Sequence, residues 1–412
     1  MSHPAPQAAA AADPLLDVLV IGCGLRATGL LTATPELFRH DLGVLDAADR
    51  LGVGSFAHYD IESNSHGSDF FGWIDPAGPF GPLLAEEPVR RLRTVPGSFH
   101  LALLAEALDR AGRAIGAMLP PDRLVLGDEA VEVALRTGGP VRVRTRAGRT
   151  LRAGTVVLAT GIRERTGPEL RRWQGKLVLS RALVAPGARE RCAELGRRPG
   201  PLCLAGASHS AFSVLHRILA HRPPDGPEIV LVTRSPVRIH YPDRDAYRAA
   251  NHTPAEAVPD PDRDICPETG NVHRYSGLRN TSKALFHAVA AGRVPGVRLV
   301  VAPDAADRAP YFERARVIVQ STGYGSNPPA VTRDGRPVRC TTAGGLVRTD
   351  ERGRLLLDGT AAEAVFVMGM DPYPYDDNSV NPTNQYARRG RHILGQLSKR
   401  GTYEAAGRWQ RC

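Results

Sequence analysis

DVLVIGCGLRATG, residues 17–29, decides the fold. An apolar strand from Val18 to Ile21 runs into Gly22-Cys23-Gly24-Leu25-Arg26-Ala27, the G-x-G-x-x-A form of a strand-to-helix turn. Gly22 permits the tight turn, Gly24 lets backbone approach a ligand, and Ala27 lets the helix pack close to the strand. A second strand, Leu42 to Leu45, ends in Asp46. An acid about 20 residues past the turn suits an adenosine ribose. Together these features predict a pyrophosphate on the helix N-terminus and a ribose on Asp46.

PLCLAGASHSAFSVL, residues 201–215, repeats the pattern with a departure. Leu202 to Ala205 lead into Gly206-Ala207-Ser208-His209-Ser210-Ala211, so Ser208 stands where the middle glycine is usual. Its hydroxyl can meet a phosphate, at the expense of a tighter backbone approach. His209 opens the helix, where it either contacts the pyrophosphate or hydrogen-bonds the helix start. The next strand, Glu228 to Val232, ends in Thr233-Arg234-Ser235 with no acid. A guanidinium there suits a 2′-phosphate and favours NADPH over NADH. Two such turns mean two dinucleotides: FAD, which stays, and NADPH, which visits.

The expected architecture is α/β, with two Rossmann-like dinucleotide-binding domains and the NADPH domain inserted into the FAD domain. Residues 1–14 read as a disordered tail, 15–184 as the first part of the FAD domain, and 325–412 as its second part. Residues 185–324 read as the NADPH domain, with an insert at 236–278. A polar, glycine-rich stretch from Leu51 to Pro88 is long enough to be functional. Apolar periodicity predicts a helix from Ser98 to Gly112, and alternation predicts a β meander over 123–161. Further elements are a helix at Thr281–Ala291, strands at Arg316–Gln320 and Ala364–Met368, and a C-terminal helix at Asn381–Leu397.

Composition narrows the function. The 412 residues carry a net charge of +10, but only three lysines, Lys176, Lys283 and Lys399. The arginines are scattered, which argues against a nucleic-acid stripe and for attraction of an anionic cofactor or substrate. No run of eighteen apolar residues and no signal-peptide layout occurs, so no membrane partner and cytoplasmic residence are expected. None of the six cysteines forms a CxxC pair, and no Cys/His spacing suggests a metal. A flavin disulfide reductase needs neighbouring thiols, and this chain lacks them. Cys23 and Cys203 read as small apolar packing.

In order, the FAD turn, the ribose acid, Ala159-Thr160-Gly161, the NADPH turn, Ser321-Thr322-Gly323-Tyr324 and Gly369-Met370-Asp371 resemble the class B flavin-dependent monooxygenases. Within them, the chain is similar to the ornithine and lysine N-hydroxylases through STGY at 321–324, SNSHGSDFFGWIDPAGPF at 63–80 and NPTNQYARRGRHI at 381–393. The lysine that holds the substrate carboxylate in that family's flavin-side segment has no counterpart, since no lysine occurs before Lys176. The F-x-G-x-x-x-H fingerprint of the dimethylaniline type is also missing, with Leu179 at the histidine position.

The resemblance implies cofactor contacts at Gly22, Gly24, Ala27, Asp46, Val131, Ala159, Thr160, Gly161, Gly369 and Asp371 for FAD. For NADPH it implies Gly206, Ser208, His209, Ser210, Arg234, Thr322 and Gly323. It implies a flavin hydroperoxide that oxygenates a soft nucleophile, most simply the nitrogen of a small amine or amino-acid-derived metabolite. The partners are then a small-molecule substrate and O2, with a homo-oligomer also possible. Asn64, Ser65 and Asn384 are the residues assigned to the catalytic site. Asn64 and Ser65 either hydrogen-bond the flavin region or stabilise their loop. Asn378, Asn381 and Asn384 either face the flavin or serve as turn and cap residues, with Asn384 set first for the site. His240, Tyr241, Asp243 and Tyr247 line a substrate mouth or a solvated loop, and His58, Tyr59 and Asp60 stay open. A flavin oxidase or dehydrogenase without oxygen insertion and a non-catalytic redox sensor are the alternatives.

Overall fold

The computed structural model describes residues 15–274, 276–371 and 382–405. The strand Leu15–Ile21 lies at the heart of a large sheet, parallel to Leu42–Asp46 on one side and Thr150–Leu158 on the other. Leu124–Leu126 extends one edge and the end of Thr360–Val367 joins the other, all in parallel. The first half of Thr150–Leu158 instead pairs antiparallel with Val141–Thr145, which opens the meander.

Side chains alternate across this sheet because successive residues of a strand face opposite ways. Val18, Val20, Val44 and Val157 pack against the helices Leu25–Ala33 and Leu101–Ala117. Leu19, Ile21, Leu45, Val156 and Leu158 pack against the meander on the other face. Burying each of these aliphatic side chains contributes roughly 1.5–3 kcal/mol before chain entropy is counted. The C-terminal helix Pro382–Ala405 closes the helical layer. It seats Tyr386 over Gly29, where a Cβ would lie 2.5 Å from the ring. Trp73 meets that ring edge-on, 4.8 Å between centroids.

The second sheet has five parallel strands in the order Val297–Val301, Ile229–Thr233, Leu202–Ala205, Val317–Gln320, Leu177–Leu179. Its last strand comes from before residue 185, where the sequence reading starts this domain. Its three residues, Leu177–Leu179, are too few to announce a strand. The chain passes between the sheets twice, at Ile162–Glu164 and Tyr324–Ser326, and these segments pair antiparallel with each other. The two-domain α/β reading, with one domain inserted in the other, therefore holds.

Two local expectations move. The helix expected from Ser98 begins at Leu101, because His100 bridges to Glu62 and its Nδ1 accepts from the Ala102 amide at 3.3 Å. The 51–88 stretch is a chain of single-turn helices, not one open loop, and leads into the helix Glu87–Thr94. The 236–278 insert is irregular apart from the short helix Arg244–Arg248. Among the described residues, no helix is long and apolar enough to cross a membrane.

Candidate functional site

The two glycine turns stand at the carboxyl ends of their sheets with matching geometry. The Gly22 amide donates to Leu45 O at 2.7 Å, and the Gly206 amide donates to Val232 O at 2.7 Å. Both glycines have left-handed backbone, φ +85° and +105°. A Cβ on Gly22 would lie 2.6 Å from Ala159 O, and one on Gly206 would lie 2.5 Å from Ser321 O. Neither position admits a side chain. Both helices that follow have no acidic residue in the first turn. A pyrophosphate therefore meets no carboxylate on the helix itself, and both turns fit the dinucleotides expected of them.

The second positions differ. A Cβ on Gly24 would touch only Gly54 Cα at 3.4 Å, so the turn leaves room in front of it. The Ser208 hydroxyl is instead turned back to donate to Ser321 O at 3.3 Å. Asp46 accepts from the Cys23 amide inside the first turn and from the Ala48 amide at 2.8 Å. Burial pushes its carboxyl above the ordinary range, against the pull of those two amides. Arg234 is exposed just past Ile229–Thr233. Ala27 is fully buried against the strand, as its small size requires.

Other assigned residues make contacts that sequence reading did not foresee. The Thr160 hydroxyl donates to Asn327 O at 2.6 Å. Gly369, φ +78°, is crossed by the Arg26 side chain. Asp371 is buried and ion-paired with Arg389 of the C-terminal helix at 3.2 Å, so its carboxylate holds the helix to the sheet. Thr322 and Gly323 are exposed beside Ser321, and Gly161 follows the central sheet. Val131 lies in Ala130–Leu135, and Ser210 follows His209 in the helix His209–Leu219. Asn384 belongs to the C-terminal helix, with its side chain outside the described residues; Asn378 and Asn381 lie wholly outside them.

His209 does not turn toward the glycine turn. Its Nδ1 meets Ser282 Oγ at 2.8 Å and its Nε2 meets Glu62 O at 3.0 Å, so the ring bridges the two domains. Burial lowers its pKa and keeps the imidazole neutral near pH 7. Asn64 likewise spans the domains. Its amide donates to Gly277 O at 2.9 Å and accepts from the Arg279 amide at 2.9 Å. Ser65 follows, its own amide donating to Ser63 Oγ at 3.0 Å.

These contacts frame a cavity of about 200 Å³ between the flavin-side segment and two helix starts. Asp60, Ile61, Glu62, Ser63 and His100 line one side; His209, Phe212, Arg217, Arg279 and Thr281 belong to the other. Arg217 and His100 pair with Asp60 at 3.1 Å each. The Glu62 carboxylate accepts from Ser98 Oγ at 3.1 Å and from Thr281 Oγ1. Asn280, beside this cavity, has φ +49° and a buried side-chain nitrogen with no partner. Sequence reading passed over it, since asparagine tolerates left-handed backbone and its type gives no signal of an unpartnered donor. The expected mouth residues lie elsewhere. Tyr241 meets Tyr247 and His252 edge-on, Tyr241 donates to Glu256 at 2.7 Å, and Lys283 sits 3.7 Å over the Tyr241 ring. Asp243 caps the helix Arg244–Arg248 through the Ala246 amide. Burial drives His240 down to about 3. His58 is exposed, while Tyr59 is pushed up by burial.

Two dinucleotide turns in one chain, each at the carboxyl end of its own sheet, define a two-dinucleotide flavoprotein. The chain belongs to the class B flavin-dependent monooxygenases, enzymes that use FAD and NADPH. It is 31% identical over 370 residues to the CMP-5′-(3-aminopropyl)phosphonate hydroxylase of Streptomyces rubellomurinus, covering 80% of this chain and 82% of the relative. Its fold is similar to that of the cadaverine monooxygenase of Erwinia amylovora, with a TM-score of 0.64 and 14% identity, covering 94% of this chain and 95% of that one. The Kutzneria ornithine N-hydroxylase gives 0.60 at 14% identity, covering 94% and 100%. No protein-family model matches the chain.

Proposed function

We propose that this enzyme N-hydroxylates a primary amine carried on an anionic handle, such as a phosphonate or its nucleotide ester. The overall change is R–NH2 + O2 + NADPH + H⁺ → R–NHOH + H2O + NADP⁺. The observation that carries this reading is the interdomain cavity, which offers carboxylates, guanidinia and an apolar wall of Ile61 and Phe212 in one small space. The aminoalkyl phosphonate of the Streptomyces relative has matching parts: a cationic end, an aliphatic arm and an anionic end. The missing flavin-side lysine argues against a free amino acid.

Bound FAD and NADPH supply the electrons and oxygen activation, and the protein supplies binding and orientation. We assign FAD to Gly22, Gly24 and Asp46, and NADPH to Gly206, Ser208, Ser210 and Arg234. Glu62 accepts an amine N–H while the neutral His209 holds the Glu62 backbone in place. Asn64 is a positioning residue that fixes the Gly277–Arg279 backbone, and Asn280 offers its unspent amide to the bound molecules. Closing the cavity keeps water from the reacting centre.

The test is mass spectrometry of amines incubated with enzyme, NADPH and O2. A gain of one oxygen on 3-aminopropylphosphonate or its CMP ester is expected. NADPH oxidation with no oxygenated amine would sink the reading.

A further inference from the structure

We propose that Asp60 and Arg217 are positioning residues for reduction of the flavin: as a pair they set how the helix behind the NADPH turn stands against the flavin-side segment. This rests on the assignment of NADPH to the Gly206 turn. Residues 60–64 form a strap between the domains. On the flavin side, the Leu101 amide donates to Ile61 O at 2.9 Å and the Ser63 amide donates to Phe99 O at 2.8 Å. Asp60 engages the other domain with all three of its polar groups. Its amide donates to Val184 O at 2.7 Å, and Val184 is buried in the core of the second sheet. Its carbonyl and its carboxylate both accept from Arg217 Nη1, the carboxylate at 3.1 Å. Its second carboxylate oxygen meets His100 Nε2 of the FAD domain at 3.1 Å.

Arg217 lies in the last turn of the helix His209–Leu219, and His209 opens that helix. Both ends of the helix therefore reach the same short strap, His209 at Glu62 O and Arg217 at Asp60. The two contacts start about 12 Å apart along the axis, two turns of helix. Ser213, midway between them, lines the same cavity, so this face of the helix is the one turned to the strap. A helix held at one point can swing about it; a helix held at two cannot. The N-terminus of this helix carries the Gly206 turn, so fixing its tilt fixes the direction from which the nucleotide meets the flavin. The Arg217 side chain is only 15% exposed, so solvent screens its pairing with Asp60 less than it would on an open surface.

Two measurements on the FAD-loaded protein test this: rapid-mixing reduction of the flavin by NADPH without oxygen, and hydrogen exchange of residues 58–64 with no nucleotide present. Arg217→Ala should slow the limiting rate of reduction about tenfold or more, since a misplacement of about 1 Å can cost far more than that. The dissociation constant for NADP⁺, titrated separately, should stay within about threefold, because the Gly206 turn is untouched. Exchange over 58–64 should speed up as the Asp60 amide loses Val184 O. Arg217→Lys should recover most of the rate. Asp60→Ala with Arg217→Ala should be no slower than Arg217→Ala alone, as two groups acting through one contact require. If Arg217→Ala does not hold FAD, Asp60→Asn decides, since it keeps both backbone bonds and should still slow reduction about threefold. A native rate in these variants, losses that multiply in the double variant, or a slower rate with unchanged exchange over 58–64 overturns the role of the pair while the nucleotide assignment stands. If NADPH does not reduce the native enzyme, or still reduces Gly206→Val at the native rate, the assignment falls and the pair's role with it.

Discussion

The two glycine turns share a backbone and differ in what stands before it. Each begins with a left-handed glycine pressed on the carbonyl of a neighbouring strand end, Ala159 in one and Ser321 in the other. These first glycines are demanded by the protein itself, whatever binds. The second positions are demanded by the ligand. Gly24 leaves open space, whereas Ser208 folds its hydroxyl onto Ser321 O. The strand ends contrast as well: Asp46 is drawn into its own turn, and Arg234 is left exposed. On the assignment proposed above, the resident cofactor would meet an acid and bare backbone, and the visiting one a hydroxyl and a surface cation.

The largest effect should come from the first glycines. Gly22→Val combines left-handed strain with a backbone clash, together about 2–6 kcal/mol. Thermal melting and soluble yield should both collapse. Gly206→Val should damage only the second sheet, so a protein that keeps FAD but is no longer reduced by NADPH is expected. Equal damage from both changes would mean the two domains fold as one unit.

Gly24→Val should be milder for the fold and severe for the cofactor. The structure has room for the new Cβ, but the pyrophosphate needs that space. Purified protein should be stable and colourless; a yellow protein with full flavin would remove FAD from this turn.

Arg234→Ala should raise KM for NADPH by one to two decades, since a charge-assisted hydrogen bond is worth roughly 1.5–3 kcal/mol. KM for NADH should barely change. A parallel rise for both nucleotides would place Arg234 away from the 2′-phosphate. The smallest effect belongs to Ser208→Gly. It loses one long hydrogen bond and opens the backbone, and these oppose each other, so a change in NADPH KM below about threefold is expected. A tenfold change either way would show that the hydroxyl touches phosphate.

Much of the fold was legible because its signals are local. A glycine turn, the acid that follows and the alternating apolar strands are all written within about 30 residues. The cavity was not. His209 reaches Glu62 across 147 positions, and Asn64 reaches Arg279 across 215. No periodicity links such residues, and their types are ordinary loop formers. Asp371 shows the opposite failure. Its motif position was visible, but its pairing with Arg389 depends on how the last helix docks. The edge strand Leu177–Leu179 was too short to read, and only the neighbouring Val317–Gln320 defines it.

The antiparallel pair Ile162–Glu164 and Tyr324–Ser326 has a consequence for the history of such chains. The inserted domain leaves and re-enters the larger one at hydrogen-bonded neighbours, Glu164 beside Tyr324. Its two ends are therefore already joined in space. A segment with adjacent ends can be gained, lost or exchanged between genes without rethreading the host sheet.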